Sequence, residues 1–330
     1  MSNGYEILNE KRAFAMNILI FGAGVLGSNL ARDLFKSKKD VTLLARGEWA
    51  NEIRQNGLRI KDKFRFGTSV SKIPVITTLR KEDIYDVIFV VVRYNQIDSI
   101  LDVLKENKTK NIVFVGNNVK TKELSGRLPM KNVMFAFASS VGYREKGRIV
   151  SMHFRKITIG PLSNGNKALI DAIFSNTKYK VKYEPNIGDY LLCHAAFLLP
   201  LTFACYKTGG NLKKIKNDKE YIHELIDANV EAYRAILKAG HEILPLEDKE
   251  FESGPYRNKC FRFLRFIFST SIGKIVLSDH AMNAVEEMRS LNEDMERFFA
   301  SIDAKLPIWK ELQKDLPERN GESDNVGMRK

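Results

Sequence analysis

Apolar residues along this chain follow two different rhythms. From residue 16 to about 185, short continuous apolar runs alternate with segments in which apolar positions recur every three or four residues. Runs of the first kind read as buried strands and segments of the second as helices, so their alternation predicts parallel βαβ units. The strands expected are 16–21, 40–45, 58–66, 73–76, 85–92, 111–115, 133–139, 148–154, 156–159 and 178–183, with helices at 28–36, 49–56, 96–107 and 168–174. Gly142 and Gly147 between 133–139 and 148–154 predict a meander that extends the sheet. From about residue 186 only the helical rhythm persists, at 187–206, 219–240, 257–268 and 280–299. The fold class expected is therefore α/β: a Rossmann-type doubly wound sheet domain over 16–185, followed by an all-α C-terminal domain over 186–316. Residues 1–15 read as an extension, and the polar tail 317–330 as disordered.

Composition narrows the class. A chain of 330 residues with 44% hydrophobic content has room for two separate cores. No uninterrupted apolar run reaches the roughly 18 residues of a membrane span. The nearest, 261–277, contains Arg262, Arg265 and Lys274 and reads as a packed or amphipathic helix. Cys193, Cys205 and Cys260 lie far apart, with neither metal-ligand spacing nor a disulfide framework, which places the chain most simply in a reducing cytoplasm with no metal. The net charge of +13 raises the question of nucleic acid, but the basic residues are scattered. Between Tyr256 and Phe268, Phe261, Phe263, Phe266 and Phe268 alternate with Arg262 and Arg265; core aromatics flanked by solvated arginines account for this better than base stacking. Neither nucleic acid nor a membrane is expected as a partner.

The chemistry concentrates at Gly22-Ala23-Gly24-Val25-Leu26-Gly27, where a strand runs directly into a helix. In such a turn the first glycine permits the tight bend, the second lets backbone approach a pyrophosphate, and the third lets helix pack on strand. The helix N-terminus then offers unpaired N–H groups to phosphate. The next strand ends at Arg46, where an NAD-binding unit carries Asp or Glu for the ribose 2′-hydroxyl. A guanidinium fork suits a 2′-phosphate instead, so NADP (as NADPH) is the cofactor expected; a solvated arginine opening a loop is the alternative.

The string Leu44-Ala-Arg-Gly-Glu-Trp-Ala-Asn-Glu-Ile-Arg-Gln-Asn-Gly-Leu-Arg-Ile60 resembles the ketopantoate reductases (2-dehydropantoate 2-reductases), which carry "ARG…IRxNGL" there. The resemblance extends over residues 16 to about 310. It implies hydride transfer from NADPH to the 2-oxo group of a small 2-oxoacid, in a cleft between two domains. It implies that Arg93 stands where the family has a cofactor-edge lysine, that Asn117 positions nicotinamide and substrate, and that the backbone at Gly142, in a turn 140–144, lines the cofactor. Glu287 takes the place of a glutamate that points into the cleft beside cofactor and substrate.

Departures from the family pattern are equally specific. Leu191, Ala195 and Leu199 occupy the positions of the family's general-acid lysine and two asparagines, and no lysine lies between Lys182 and Lys207. His194, as an imidazolium, is the substitute acid expected, with a structural histidine as the alternative. His280, Asn283 and Glu287 fall on one face of the helix expected at 280–299. The family's substrate-carboxylate serine has no clean counterpart in Ser271 or Ser278. Reduction of a 2-oxoacid such as 2-dehydropantoate leads the functional readings. A reductase for a less polar carbonyl compound and a non-catalytic NADP sensor remain beside it, and a second copy of the chain is allowed as a partner.

Overall fold

The computed structural model describes residues 16–63, 66–161 and 163–318. The expectations for residues 1–15 and for the tail beyond 318 lie outside these. The chain divides into two compact units, the first through Leu191 and the second from Leu192 on.

The first unit is one mixed sheet with helices. Its strands are β1 (Asn17–Phe21), β2 (Asp40–Leu44), β3 (Leu58–Asp62), β4 (Thr68–Ser71), β5 (Val75–Ile76), β6 (Val87–Val90), β7 (Asn111–Val115), β8 (Asn132–Glu145), β9 (Arg148–Gly160) and β10 (Lys180–Tyr183). Their order is β4-β3-β9-β8-β7-β6-β1-β2-β5, with β10 beside β9. Strands β2, β1, β6, β7 and β8 run parallel, as their continuous Val/Ile/Leu/Phe runs require for burial on both faces. The helices are α1 (Val25–Lys36), α2 (Gly47–Asn56), α3 (Leu101–Glu106), α4 (Thr121–Arg127) and α5 (Asn164–Phe174).

Two expectations change here. Residues 148–154 and 156–159 are one strand, β9, and with β8 it forms a long antiparallel hairpin whose turn is Lys146–Gly147. Alternation breaks near Ala138 and Ser140, where the register shifts, and Arg155 takes a positive φ of 50°, which is why one bent strand reads as two. Second, 96–107 opens in 3₁₀ turns and is α-helical only from Leu101 to Glu106.

Helix α1 is buried from Gly27 through Leu34, polar residues included. Its polar face meets β8 and β9 rather than water. Asn29 Nδ2 donates to Ser140 Oγ and Ser151 Oγ, each at 3.0 Å. Asp33 accepts from Arg32 Nε and Arg155 Nε at 2.7 Å and from His153 Nε2 at 3.1 Å. Burial pushes the Asp33 carboxyl up, but hydrogen bonds from His153 and Arg32, together with the arginine charge, outweigh it and hold the group well below the usual carboxylate range. Burial pushes His153 down, so at neutral pH its contact with Asp33 is a hydrogen bond from a neutral ring.

The second unit is helical. Helix α6 (Ile187–Lys207) carries the chain from one unit to the other; α7 (Lys219–Lys238), α8 (Gly254–Ser269), α9 (Val285–Ser301) and α10 (Pro307–Leu312) follow. Asp218 and Ser253 cap α7 and α8 by accepting from Tyr221 N and Tyr256 N. Glu231 on α7 accepts from the Ile308 and Trp309 amides at the start of α10. The Trp309 ring packs edge-on against Phe203 and Phe299, and its Nε1 donates to Asn292 Oδ1 at 3.1 Å. Helix α6 is long and apolar enough to cross a membrane by composition, but 67% of that stretch is buried, as in a core helix. It, and not 261–277, is the most apolar long helix.

The helix expected at 280–299 is broken. Lys274–Ser278 is π-helical, Asp279–Asn283 is a separate short helix, and Ala284 (φ −133°, ψ 34°) interrupts the chain before α9. Apolar spacing continues across the break, so the pattern gives no sign of it.

Asp33→Ala leaves two arginines without their shared anion in a buried setting. A loss of about 3–5 kcal/mol is expected, read by chemical denaturation at pH 7. Because the native carboxyl is depressed, its contribution is complete above the unfolded value of about 3.9 and fades only as pH falls below that.

Candidate functional site

The carboxyl ends of the parallel strands gather the cofactor candidates of the first unit. From β1 the chain crosses through α1 to β2 on one side, while β6 lies on the other, so strand order reverses at β1. Ligands of open α/β sheets bind at such a point. Gly22 turns with φ +121°, and its amide donates to Leu44 O at 3.1 Å. A Cβ at Gly22 would stand 2.2 Å from Val91 O, and one at Gly27 would stand 2.0 Å from Gly22 O. Both glycines are demanded by close backbone approach.

Gly24 differs from both. Nothing lies within 4 Å of where its Cβ would be. The protein's own packing does not require a glycine there. Gly24 is also the N-cap of α1, and no side chain caps that helix. The amides of its first turn are left for an external acceptor. The loop is braced from behind: Trp49 Nε1 donates to Ala23 O at 2.9 Å, and Ser28 Oγ to the same carbonyl at 3.2 Å. Ala23, Val25 and Leu26 pack partly against the core. Sequence reasoning misses Trp49, although it lies within the ARGEWANEIRQNGL string. Its indole N–H, which needs a partner when the ring is buried, is the available signal.

Arg46 closes β2 and is the N-cap of α2, exposed, with its guanidinium 5.9 Å from the centre of the Phe21 ring at the end of β1. Arg93 is exposed at the N-cap of the 3₁₀ turn Tyr94–Gln96, three residues past β6. Asn117 follows β7 after Gly116, and the neighbouring Asn118 is buried, its Oδ1 accepting from the Lys120 amide at 2.9 Å. Glycine loop, Arg46, Arg93 and Asn117 thus share one edge of the sheet.

Gly142 does not sit in a turn. It is inside β8, paired with Ser151, where a Cβ would stand 2.1 Å from Val150 O. The hairpin's own backbone accounts for this glycine.

The candidates in the helical unit stand differently. Glu287 is buried, in the first turn of α9, whereas His280 and Asn283 belong to the short helix before the break at Ala284. The single helical face expected for the three does not exist. Burial, with a smaller contribution from His280, pushes His194 down to about 4. Near pH 7 it is neutral, so the imidazolium expected as acid is not the species present. Leu191, Ala195 and Leu199 are buried to 1% exposure or less. Ser278 is buried and lies 3.8 Å from Cys205 Sγ. The three cysteines are free, and no metal-binding cluster occurs among the described residues.

Residues 18–164 match the family model "Ketopantoate reductase PanE/ApbA". This segment is similar to a ketopantoate reductase domain. No curated protein matches the chain by sequence. Among solved structures, a PanE/ApbA family ketopantoate reductase from Ralstonia eutropha JMP134 is similar with a TM-score of 0.74 at 17% identity, over 91% of this chain and 96% of its own. D-mandelate dehydrogenase with NADH and anilino(oxo)acetate gives a TM-score of 0.74 at 15% identity, over 91% and 97%. A dimeric ketopantoate reductase from Staphylococcus aureus gives 0.67 at 14%, over 91% and 96%. At such identities the likeness establishes the two-part ketopantoate reductase fold, an α/β sheet unit followed by helices.

Gly27→Ala forces α1 off the Gly22 carbonyl and is expected to lower the melting temperature strongly, whereas Gly24→Ala has room for its methyl and leaves melting nearly unchanged. His194, lowered in the fold, contributes stability that is full above its ordinary value of 6.5 and is lost as pH falls towards 4. His194→Gln is expected to flatten stability against pH across that window.

Proposed function

We propose that the protein is an NADP-dependent oxidoreductase that reduces the 2-oxo group of a small 2-oxoacid, such as 2-dehydropantoate, to the 2-hydroxy acid. The observation that carries the reading is the pairing of an unobstructed, uncapped helix N-terminus at Gly24 with an exposed guanidinium at the end of β2. The α1 amides would take the pyrophosphate, and Arg46 the 2′-phosphate through a bidentate fork. Arg93 would place a second cation at the cofactor's edge, and Asn117 would orient the reacting groups. When bound, the dinucleotide supplies the hydride. Glu287 would hold the substrate hydroxyl, and Gly142 would act only by keeping β8 against β9. With His194 neutral, the proton for the new alcohol comes from its ring N–H or from a water it orients, a weaker acid than the family's lysine. The reducing cytoplasm suits three free thiols, and a homodimer is carried over from the S. aureus relative, whose description calls it dimeric.

A second reading keeps the chemistry and changes the substrate. Leu191, Ala195 and Leu199 offer neither charge nor hydrogen bond where the family presents polar groups. The D-mandelate dehydrogenase neighbour was solved with an aryl-bearing oxoacetate. With those polar groups missing, a less polar 2-oxoacid is the substrate that would lose least.

Cofactor titration by fluorescence tests the central reading. NADPH is expected to bind at least tenfold more tightly than NADH, and Arg46→Ala to weaken NADPH at least tenfold while changing NADH less than threefold. A preference for NADH overturns it. Oxidation of NADPH by ketopantoate, set against an aryl 2-oxoacid, then decides between the two substrates.

A further inference from the structure

Helix α8 has an outer face that the reductase reading leaves unused. Tyr256, Leu264 and Phe268 bury one side of it. At 100° per residue, Arg262 and Phe266 lie opposite Leu264, with Phe263 and Arg265 flanking them. The two rings are not core residues, as the sequence pattern implies: Phe263 is 49% and Phe266 61% exposed. Ile272, three residues past the end of the helix, is a further apolar side chain at 42% exposure. Across 254–278 the chain carries Arg257, Lys259, Arg262, Arg265 and Lys274 and no Asp or Glu. Arg257 is ion-paired to Asp227, and Arg265 lies over the Phe261 ring; Arg262 makes no ion pair among the described residues.

An exposed apolar stripe bordered by unneutralised cations is complementary to one kind of surface, apolar within and anionic at its boundary. We propose that the outer face of α8 docks this protein on an anionic lipid leaflet, with Phe263, Phe266 and Ile272 at the acyl boundary and Arg262, Arg265 and Lys274 reaching lipid phosphates. Amphipathic helices that lie in an interface combine these features, and long basic side chains extend to the headgroups from a buried stem. Each basic residue near an anionic leaflet strengthens binding about fivefold, and more weakly as salt rises. The absence of a spanning run in 261–277 bears on crossing a bilayer, not on lying along one. A second copy is the poorer occupant, because a two-fold contact would set this acid-free face against itself. Nucleic acid would use the cations, but aliphatic Ile272 gains nothing from stacked bases.

Flotation of the full-length protein with vesicles tests this. Wild type is expected to float with phosphatidylcholine vesicles containing about 30% phosphatidylserine and to stay in solution with phosphatidylcholine alone, losing most binding at high salt. Phe263→Ala with Phe266→Ala, and separately Arg262→Glu with Arg265→Glu, are each expected to weaken binding at least tenfold. Both variants should retain the wild-type melting temperature and NADPH affinity, since all four side chains are exposed. Lys105→Glu with Lys110→Glu, on the first unit, controls for net charge and is expected to cost less than threefold. Four results overturn the proposal: no flotation at low salt, flotation insensitive to the phenylalanines, loss of self-association in the phenylalanine variant without vesicle binding by wild type, or α8-dependent binding of single-stranded DNA in its place.

Discussion

The approach of α1 to the sheet is the constraint on which the first unit depends. Gly27 rests on the carbonyl of Gly22, and Gly22 rests on the carbonyl of Val91, so three backbone segments meet with no side chain between them. Farther along the helix, Asn29 and Asp33 tie its other face to β8 and β9 through buried hydrogen bonds and ion pairs. The helix is therefore held on two sides and along its length. An anion placed at its N-terminus meets amides whose positions are already fixed, so little ordering remains to be done on binding.

Much of this is legible in the sequence, and for physical reasons. Buried parallel strands such as Val87–Val90 and Asn111–Val115 announce themselves by unbroken apolar runs. Three glycines so spaced between a strand and a helix mark a place where backbone must approach backbone or phosphate. What stays hidden is longer in range. Ser28, Asn29 and Arg32 look like the wet face of an amphipathic helix until a hairpin more than a hundred residues later covers them. Gly142 looks like a turn because a glycine interrupts the run between two expected strands, whereas its bareness answers the backbone of the opposite strand. The break at Ala284 leaves the spacing of Ala281, Met288 and Leu291 undisturbed, so no count of apolar positions registers it.

The helical unit shows the complementary limit. Local patterns locate α6 to α8 well, and caps at Asp218 and Ser253 agree with where α7 and α8 begin. Ionisation there depends on surroundings that sequence spacing does not set. For His194, burial rather than position along the helix lowers the pKa and so sets its charge. Phe263 and Phe266 show the reverse case, apolar residues whose helical phase turns them outward.

The position of β9 has consequences for how the chain must fold. Strand β3 is complete early, but its parallel neighbour is β9, and Arg59 bonds the Gly147 carbonyl 88 residues later. Until the hairpin has been synthesised, β3 and β4 have no inner neighbour and α1 has no cover for Asn29 and Asp33. Loop closure over such distances precedes any reward in packing, which slows topologies of high contact order. A ribosome-bound chain that ends before β9 would thus expose a ragged sheet edge and a polar helix flank together, the natural substrate of a holding chaperone.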